Sequence, residues 1–124
     1  MNIYEVQPIF SHPTHPFELT IDAPGSKSIT NRALMLAALA NGETLLKDAL
    51  FSDDSRHFLQ CLKDLGFDVV VDEPAHTVRV TGLGGRIPKE TAAINVGSAG
   101  TAARFLTAML GCAKGVWHLD ASEQ

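Results

Sequence analysis

A loop of small residues that opens into a helix occurs twice in this sequence, at a constant displacement. Gly25 recurs as Gly97, Ser26 as Ser98, Arg32 as Arg104 and Leu34 as Leu106, each 72 positions on. Gly, Ser and Leu are common residues, so the shared order of features constrains more than the four identities. Both copies run from an extended stretch into a Gly-Ser loop, then a helix with an arginine one turn in, then another extended stretch. Repeated units of this kind bury their apolar faces by packing on each other. The pattern predicts a mixed α/β (α+β) fold of β-α-β-α-β-β units, one complete and the first half of a second.

Residues 1–7 read as a short strand, and 8–16, with three prolines and two histidines, as a linker. A strand is expected over 17–21 and a helix over 28–40, with Ala33, Leu34, Leu36, Ala37 and Leu39 as its apolar residues. Asn41-Gly42 should close that helix. A short strand follows over 43–46. Ser52 is a suitable N-cap for a helix over 54–65, with Asp53 and Asp54 at its dipole-positive end. Phe58, Leu59, Leu62 and Leu65 keep helical spacing there, and Gly66 stops it. Strands over 67–71 and 77–81 flank the turn Asp72-Glu73-Pro74-Ala75, and 82–88 is a glycine-rich loop. The second copy has an extended stretch over 91–95, a small-residue loop over 96–101, a helix over 101–111 and a strand over 116–120.

With 124 residues, 45% of them hydrophobic, the chain is long enough for one domain with a real core. Its net charge of −4 argues against nucleic acid or an anionic membrane as the main partner. It does not argue against a small anion, which feels the charge at one site. Cys61 and Cys112 both fall in apolar helical patterns, which predicts buried free thiols in a reducing compartment. His12, His15, His57, His76 and His118 have no metal-ligand spacing. Residues 1–10 lack a basic start followed by an apolar run, and no apolar segment reaches membrane-spanning length. The expected compartment is the cytoplasm.

The two loops carry the chemistry. Lys27, Ser28 and Arg32 crowd the first turn of the first helix, and Ser28 and Arg32 share a face. The start of a helix also offers unpaired N–H groups and a positive dipole end. An ammonium, a hydroxyl and a guanidinium added there suit a phosphate or carboxylate. The plainer alternative makes Ser28 an N-cap and the two cations solvated surface charges. The stretch is not a phosphate loop of the Walker type, which needs Gly before the Lys, where Ser26 stands. In the second loop Gly97, Ala99 and Gly100 would let a ligand approach the backbone. Thr101 offers a hydroxyl and Arg104 a charge. Here the plainer alternative is a chain reversal with Thr101 as N-cap. Asp53, Asp54 and Arg56 read as capping and surface charges.

Pro24-Gly25-Ser26-Lys27-Ser28-Ile29-Thr30-Asn31-Arg32-Ala33-Leu34, then Ser52-Asp53-Asp54-Ser55-Arg56, then Gly97-Ser98-Ala99-Gly100-Thr101-Ala102-Ala103-Arg104 closely resemble the 5-enolpyruvylshikimate-3-phosphate synthases. The sister family of UDP-N-acetylglucosamine enolpyruvyl transferases has Lys-Asn where this chain has Lys27-Ser28. The resemblance implies transfer of the enolpyruvyl group of phosphoenolpyruvate to the 5-hydroxyl of shikimate 3-phosphate, on the route to aromatic amino acids, with no metal or organic cofactor. By motif position Lys27 would be catalytic and would touch both substrates. Ser28, Arg32 and Thr101 would hold shikimate 3-phosphate, and Gly100 would line the phosphoenolpyruvate pocket. Asp54, Ser98 and Arg104 are further possible site residues. Ser98 departs from the Asn that many members carry there.

The family's fold is two similar domains, each of three such units forming an inside-out α/β barrel, that close on the substrates. The resemblance then assigns 1–16 to a strand and linker packing with the other domain. Unit one is 17–88 and the start of unit two 89–124. The expectation is an N-terminal fragment, inactive alone and prone to self-association through an open sheet edge. The alternatives are a stand-alone module binding a phosphorylated metabolite, or a relative of the UDP-N-acetylglucosamine enolpyruvyl transferases.

Overall fold

The computed structural model describes residues 20–123. Within them three helices and five strands alternate. They are α1 (Lys27–Leu39), β1 (Asn41–Leu46), α2 (Asp53–Asp64), β2 (Asp68–Asp72), β3 (Thr77–Leu83), β4 (Thr91–Asn95), α3 (Gly100–Gly111) and β5 (Val116–Asp120). The strands form two sheets. One is antiparallel in the order β1-β3-β2, and the other is the parallel pair β4-β5. A parallel pair needs a crossover, and α3 supplies it.

Alternation in β3 decides which face is inside. Val78 and Val80 are fully buried, while Arg79 between them is exposed. Val78 pairs with Leu46 on one side and Val71 on the other, and Val80 with Thr44 and Val69. α1 lies against β3 at close range, because Gly82 has no side chain. A Cβ there would run into the carbonyls of Ala37 and Ala40. α3 lies against β5, and α2 touches both α1 and α3 as well as β2 and β4. Its buried Phe58, Leu59, Cys61 and Leu62 join Leu34 of α1 and Leu106 of α3 in one core. The two leucines of the internal repeat are thus both fully buried.

The local signals held for most elements. Ser52 caps α2 in a reciprocal box, its Oγ accepting from Ser55 N while Ser55 Oγ accepts from Ser52 N. Several expectations need correction. α1 starts at Lys27 and its cap is Ser26, whose Oγ accepts from Ile29 N, so Ser28 lies inside the helix. α3 starts at Gly100 after Ala99, not at an N-cap Thr101. Asn41-Gly42 ends α1 but already belongs to β1, and Gly82 and Leu83 extend β3 into the expected loop. Thr20 and Ile21 are not in a strand, and the rest of the expected strand over 17–21 lies outside the described residues. The strand over 1–7 and the linker over 8–16 lie outside them too. Cys61 is buried as expected, but Cys112 caps the end of α3 in the open.

Ser55 is fully buried, and its Oγ also donates to the Leu50 carbonyl at 2.8 Å. Ser55→Ala would leave that carbonyl and the Ser52 N–H unpaired. The expected loss in unfolding free energy is about 1–3 kcal/mol, read by urea titration. No loss would mean that the box adds nothing.

Candidate active site

The opening of α2 lies between the two loops singled out in the sequence. Asp54 Oδ2 pairs with Lys27 Nζ at 2.8 Å. The reading of Asp54 as a mere surface charge is corrected by this contact. Its side chain is 21% exposed and that of Lys27 52%, so the pair is partly withdrawn from water. Three residues on, the His57 ring lies against Gly97. A third tie is the Cys61 thiol, which donates to the Asn95 carbonyl at 3.3 Å. Burial, with the nearby charge of Asp64, pushes that thiol up to about 11, so it stays protonated and keeps donating at neutral pH.

The first loop rests on the backbone behind it. A Cβ on Gly25 would collide with the Asp48 carbonyl, and Leu50 N–H donates to Thr30 Oγ1 at 3.1 Å. Arg32 reaches back one turn along α1, its Nη1 donating to the backbone carbonyl of Ser28 at 3.0 Å. The Arg32 guanidinium also stands 5.8 Å from the centre of the Phe105 ring, a cation–π contact that reaches from α1 to α3. Lys27 is drawn to Asp54.

The second loop is a tight turn. Gly97 has φ +56°, its N–H donates to Asn95 Oδ1 at 2.8 Å, and its carbonyl accepts from Ser122 N at 3.0 Å. Ala99 N–H donates to the Val96 carbonyl. Beside this turn is an open cavity of about 300 Å³ lined by residues 96–100 with Ala103, Ala121 and Ser122. Gly100 has open space where a Cβ would stand. Thr101 is half-buried and Ser98 and Arg104 are exposed. Among the described residues Arg104 makes no ion pair.

Sequence reasoning missed His57, since its partner is a glycine 40 positions away in the chain. It also missed Phe105 and Asn31. Asn31 is fully buried on α1, and neither amide atom has a hydrogen-bond partner among the described residues. Arg56 forms a two-pronged ion pair with Glu73, both contacts 3.1 Å, away from the loops. The guanidinium holds the Glu73 carboxyl below its ordinary value. Among the described residues no group of His, Cys, Asp or Glu side chains is placed to hold a metal ion, and no helix is long and apolar enough to cross a membrane.

Two loop-to-helix openings, one beside Lys27 and Arg32 and the other free of bulky side chains, meet α2 in this α/β fold. The sequence matches the model of EPSP synthase (3-phosphoshikimate 1-carboxyvinyltransferase) over residues 12–124, and the chain belongs to that family. It is 48% identical over 105 residues to a 3-phosphoshikimate 1-carboxyvinyltransferase of Trichormus variabilis, a match covering 85% of this chain and 25% of the relative. Against the protein of the same description from Cupriavidus taiwanensis it is 51% identical over 101 residues, 82% of this chain and 23% of the relative. An EPSP synthase structure from Acinetobacter baumannii aligns with a TM-score of 0.68 at 28% identity, over 81% of this chain and 23% of that one. The chain spans about a quarter of the length of the curated relatives it matches, and its fold is a part of the EPSP synthase fold.

The Lys27–Asp54 pair is exposed enough that its contribution to stability is small. Asp54→Asn should cost about 0.2–1 kcal/mol by urea titration. A loss above about 3 kcal/mol would place it among buried pairs whose rupture strands a charge.

Proposed function

We propose that the full-length protein transfers the enolpyruvyl group of phosphoenolpyruvate to the 5-hydroxyl of shikimate 3-phosphate and releases phosphate. The observation that carries this reading is that α2 holds both loop openings at once, by Asp54 on Lys27 and His57 on Gly97. Two anionic substrates need two such openings side by side. Family membership supplies the reaction class, and the residues supply a rationale for it.

On this reading Lys27 touches both substrates. Its ammonium offsets the negative charge that builds as the 5-hydroxyl oxygen bonds to the central carbon of phosphoenolpyruvate. That step loses the hydroxyl proton and adds a proton to the methylene carbon, giving a tetrahedral intermediate. Loss of phosphate, with return of a proton from the methyl group, restores the double bond. Ser28, Arg32 and Thr101 hold shikimate 3-phosphate, while Gly100 keeps the backbone open to phosphoenolpyruvate. Asp54 orients Lys27, and Ser98 and Arg104 border the second loop. The acid–base groups are proposed to come from the rest of the full-length protein, because Asp54 is the one carboxylate paired with Lys27 among the described residues. The 124-residue chain alone is then expected to show no turnover. Unit one is assigned to 17–88 and unit two begins at 89. A reaction between two small charged metabolites, with no cofactor, fits the cytoplasm.

In the full-length protein Arg32→Ala should weaken shikimate 3-phosphate by about 1.5–3 kcal/mol, the range for a hydrogen bond to a charged group. Unchanged affinity in calorimetry removes Arg32 from that substrate. Gly100→Ala should raise the KM for phosphoenolpyruvate, and weaken anionic mimics of it, more than it affects shikimate 3-phosphate. Steady-state kinetics in which all of these stay fixed would make the second loop structural only.

A further inference from the structure

We propose that His57 is a positioning residue for the loop over 96–100, holding it at a fixed place relative to Lys27. The proposal rests on the reading of that loop as the phosphoenolpyruvate side of the site. His57 Nδ1 lies 2.7 Å from the carbonyl of Asp53, one turn back on α2. A carbonyl only accepts, so Nδ1 carries the proton and the ring is pinned to its own helix. The opposite edge of the ring occupies the space that a side chain on Gly97 would need. Cε1 and Cδ2 lie 2.8 and 2.7 Å from the position of such a Cβ, and Nε2 is closer still. Gly97 is therefore doubly constrained, by its φ of +56° and by the imidazole against it.

The hydrogen bonds that hold the turn come from its own unit: Asn95 Oδ1, the Val96 carbonyl and Ser122 N–H. His57 comes from α2, whose Asp54 grips Lys27 three residues earlier. With open cavity on one side of the loop, the ring is a stop on the other. His57 is absent from the cavity wall, so it acts through the loop and not on a ligand. Removing it leaves the turn free to settle into the space the ring occupied, towards α2, and misplacement of a bound group by about 1 Å is costly in rate.

The test is made in the full-length protein. His57→Ala should raise the KM for phosphoenolpyruvate about tenfold, with that for shikimate 3-phosphate within about twofold. His57→Gln, which keeps an N–H donor near the Asp53 carbonyl and some bulk against Gly97, should recover most of the loss. Gly97→Ala should cost less in the His57→Ala background than alone, because the ring it collides with is gone. Amide chemical shifts of Gly97, Ser98 and Gly100 should move in His57→Ala while those of Ser28 and Arg32 stay. Equal rises in both KM values, no rise, or the same cost of Gly97→Ala in both backgrounds would overturn the proposal. If His57→Ala does not fold, His57→Ser, which also removes the ring, gives the same coupling with Gly97→Ala. If Gly100→Ala leaves phosphoenolpyruvate untouched, the reading of the loop has failed. The amide shifts and the coupling, measured then on stability, still decide whether His57 holds it.

Discussion

The burial of Ser55 at the start of α2 is the contact on which the arrangement of the loops depends. Its hydroxyl closes the capping box with Ser52 and reaches the Leu50 carbonyl. That segment is the same one the first loop leans on, through Gly25 against Asp48 and Thr30 on Leu50 N. One buried hydroxyl thus sets both where α2 begins and how the backbone behind the first loop runs. Asp54 in the first turn of α2 and His57 three residues on, its neighbour on the helix surface, follow from that start. The cap is local chemistry, but what it positions is tertiary: the contacts of Asp54 with Lys27 and of His57 with Gly97.

The core explains why that turn stays put. Phe58 and Leu62 of α2 are fully buried with Leu34 of α1 and Leu106 of α3, so the three helices share one apolar junction. A dry, close-packed junction resists sliding, since moving one helix opens voids along the others. The sheets hold the outer sides, with β3 packed tightly on α1 through Gly82. Rigid helices then deliver the loops, which have few contacts of their own.

Much of this was legible because it is local. Helical spacing from Phe58 to Leu65, the Ser52 cap and the alternation around Val78 and Val80 all rest on neighbours in the chain. Recurrence of Arg and Leu one displacement apart located α3 and its buried Leu106. Errors arose where a polar residue had two possible jobs. Ser26 and Ser28 are equally good caps by type, and only the bond from Ile29 N decides for Ser26. Gly82 read as loop chemistry, yet its smallness serves the approach of α1 to β3. Cys112 looked apolar by its neighbours but stands exposed at the C-terminal end of α3. For the site, the residue types at Lys27, Ser28, Arg32 and Gly100 were visible, as was the motif that relates them to a family. Asp54 was visible as a possible site residue but not its pairing with Lys27, and His57 was not visible at all, because their partners are contacts between elements. Neither a carboxylate on Lys27 nor a ring on a glycine leaves a trace in spacing.

Electrostatics ties these parts to the proposed chemistry. In a chain of net charge −4, an anion has to be drawn by local charge. Lys27 stands in the first turn of α1, where the helix dipole already favours negative charge, and Asp54 answers it from the first turn of α2. Asp54 therefore has two stabilising neighbours, an ammonium and its own helix start. An ammonium has three donors, so one bond to Asp54 leaves two for incoming oxygens. The pair is thus better understood as a mount for Lys27 than as a contact that an anion must first break. A long, flexible side chain half open to water would otherwise spend its time in many rotamers. Held by one oxygen at 2.8 Å, it is already oriented for the role proposed for it. That is the form of preorganisation from which electrostatic catalysis draws its advantage over water.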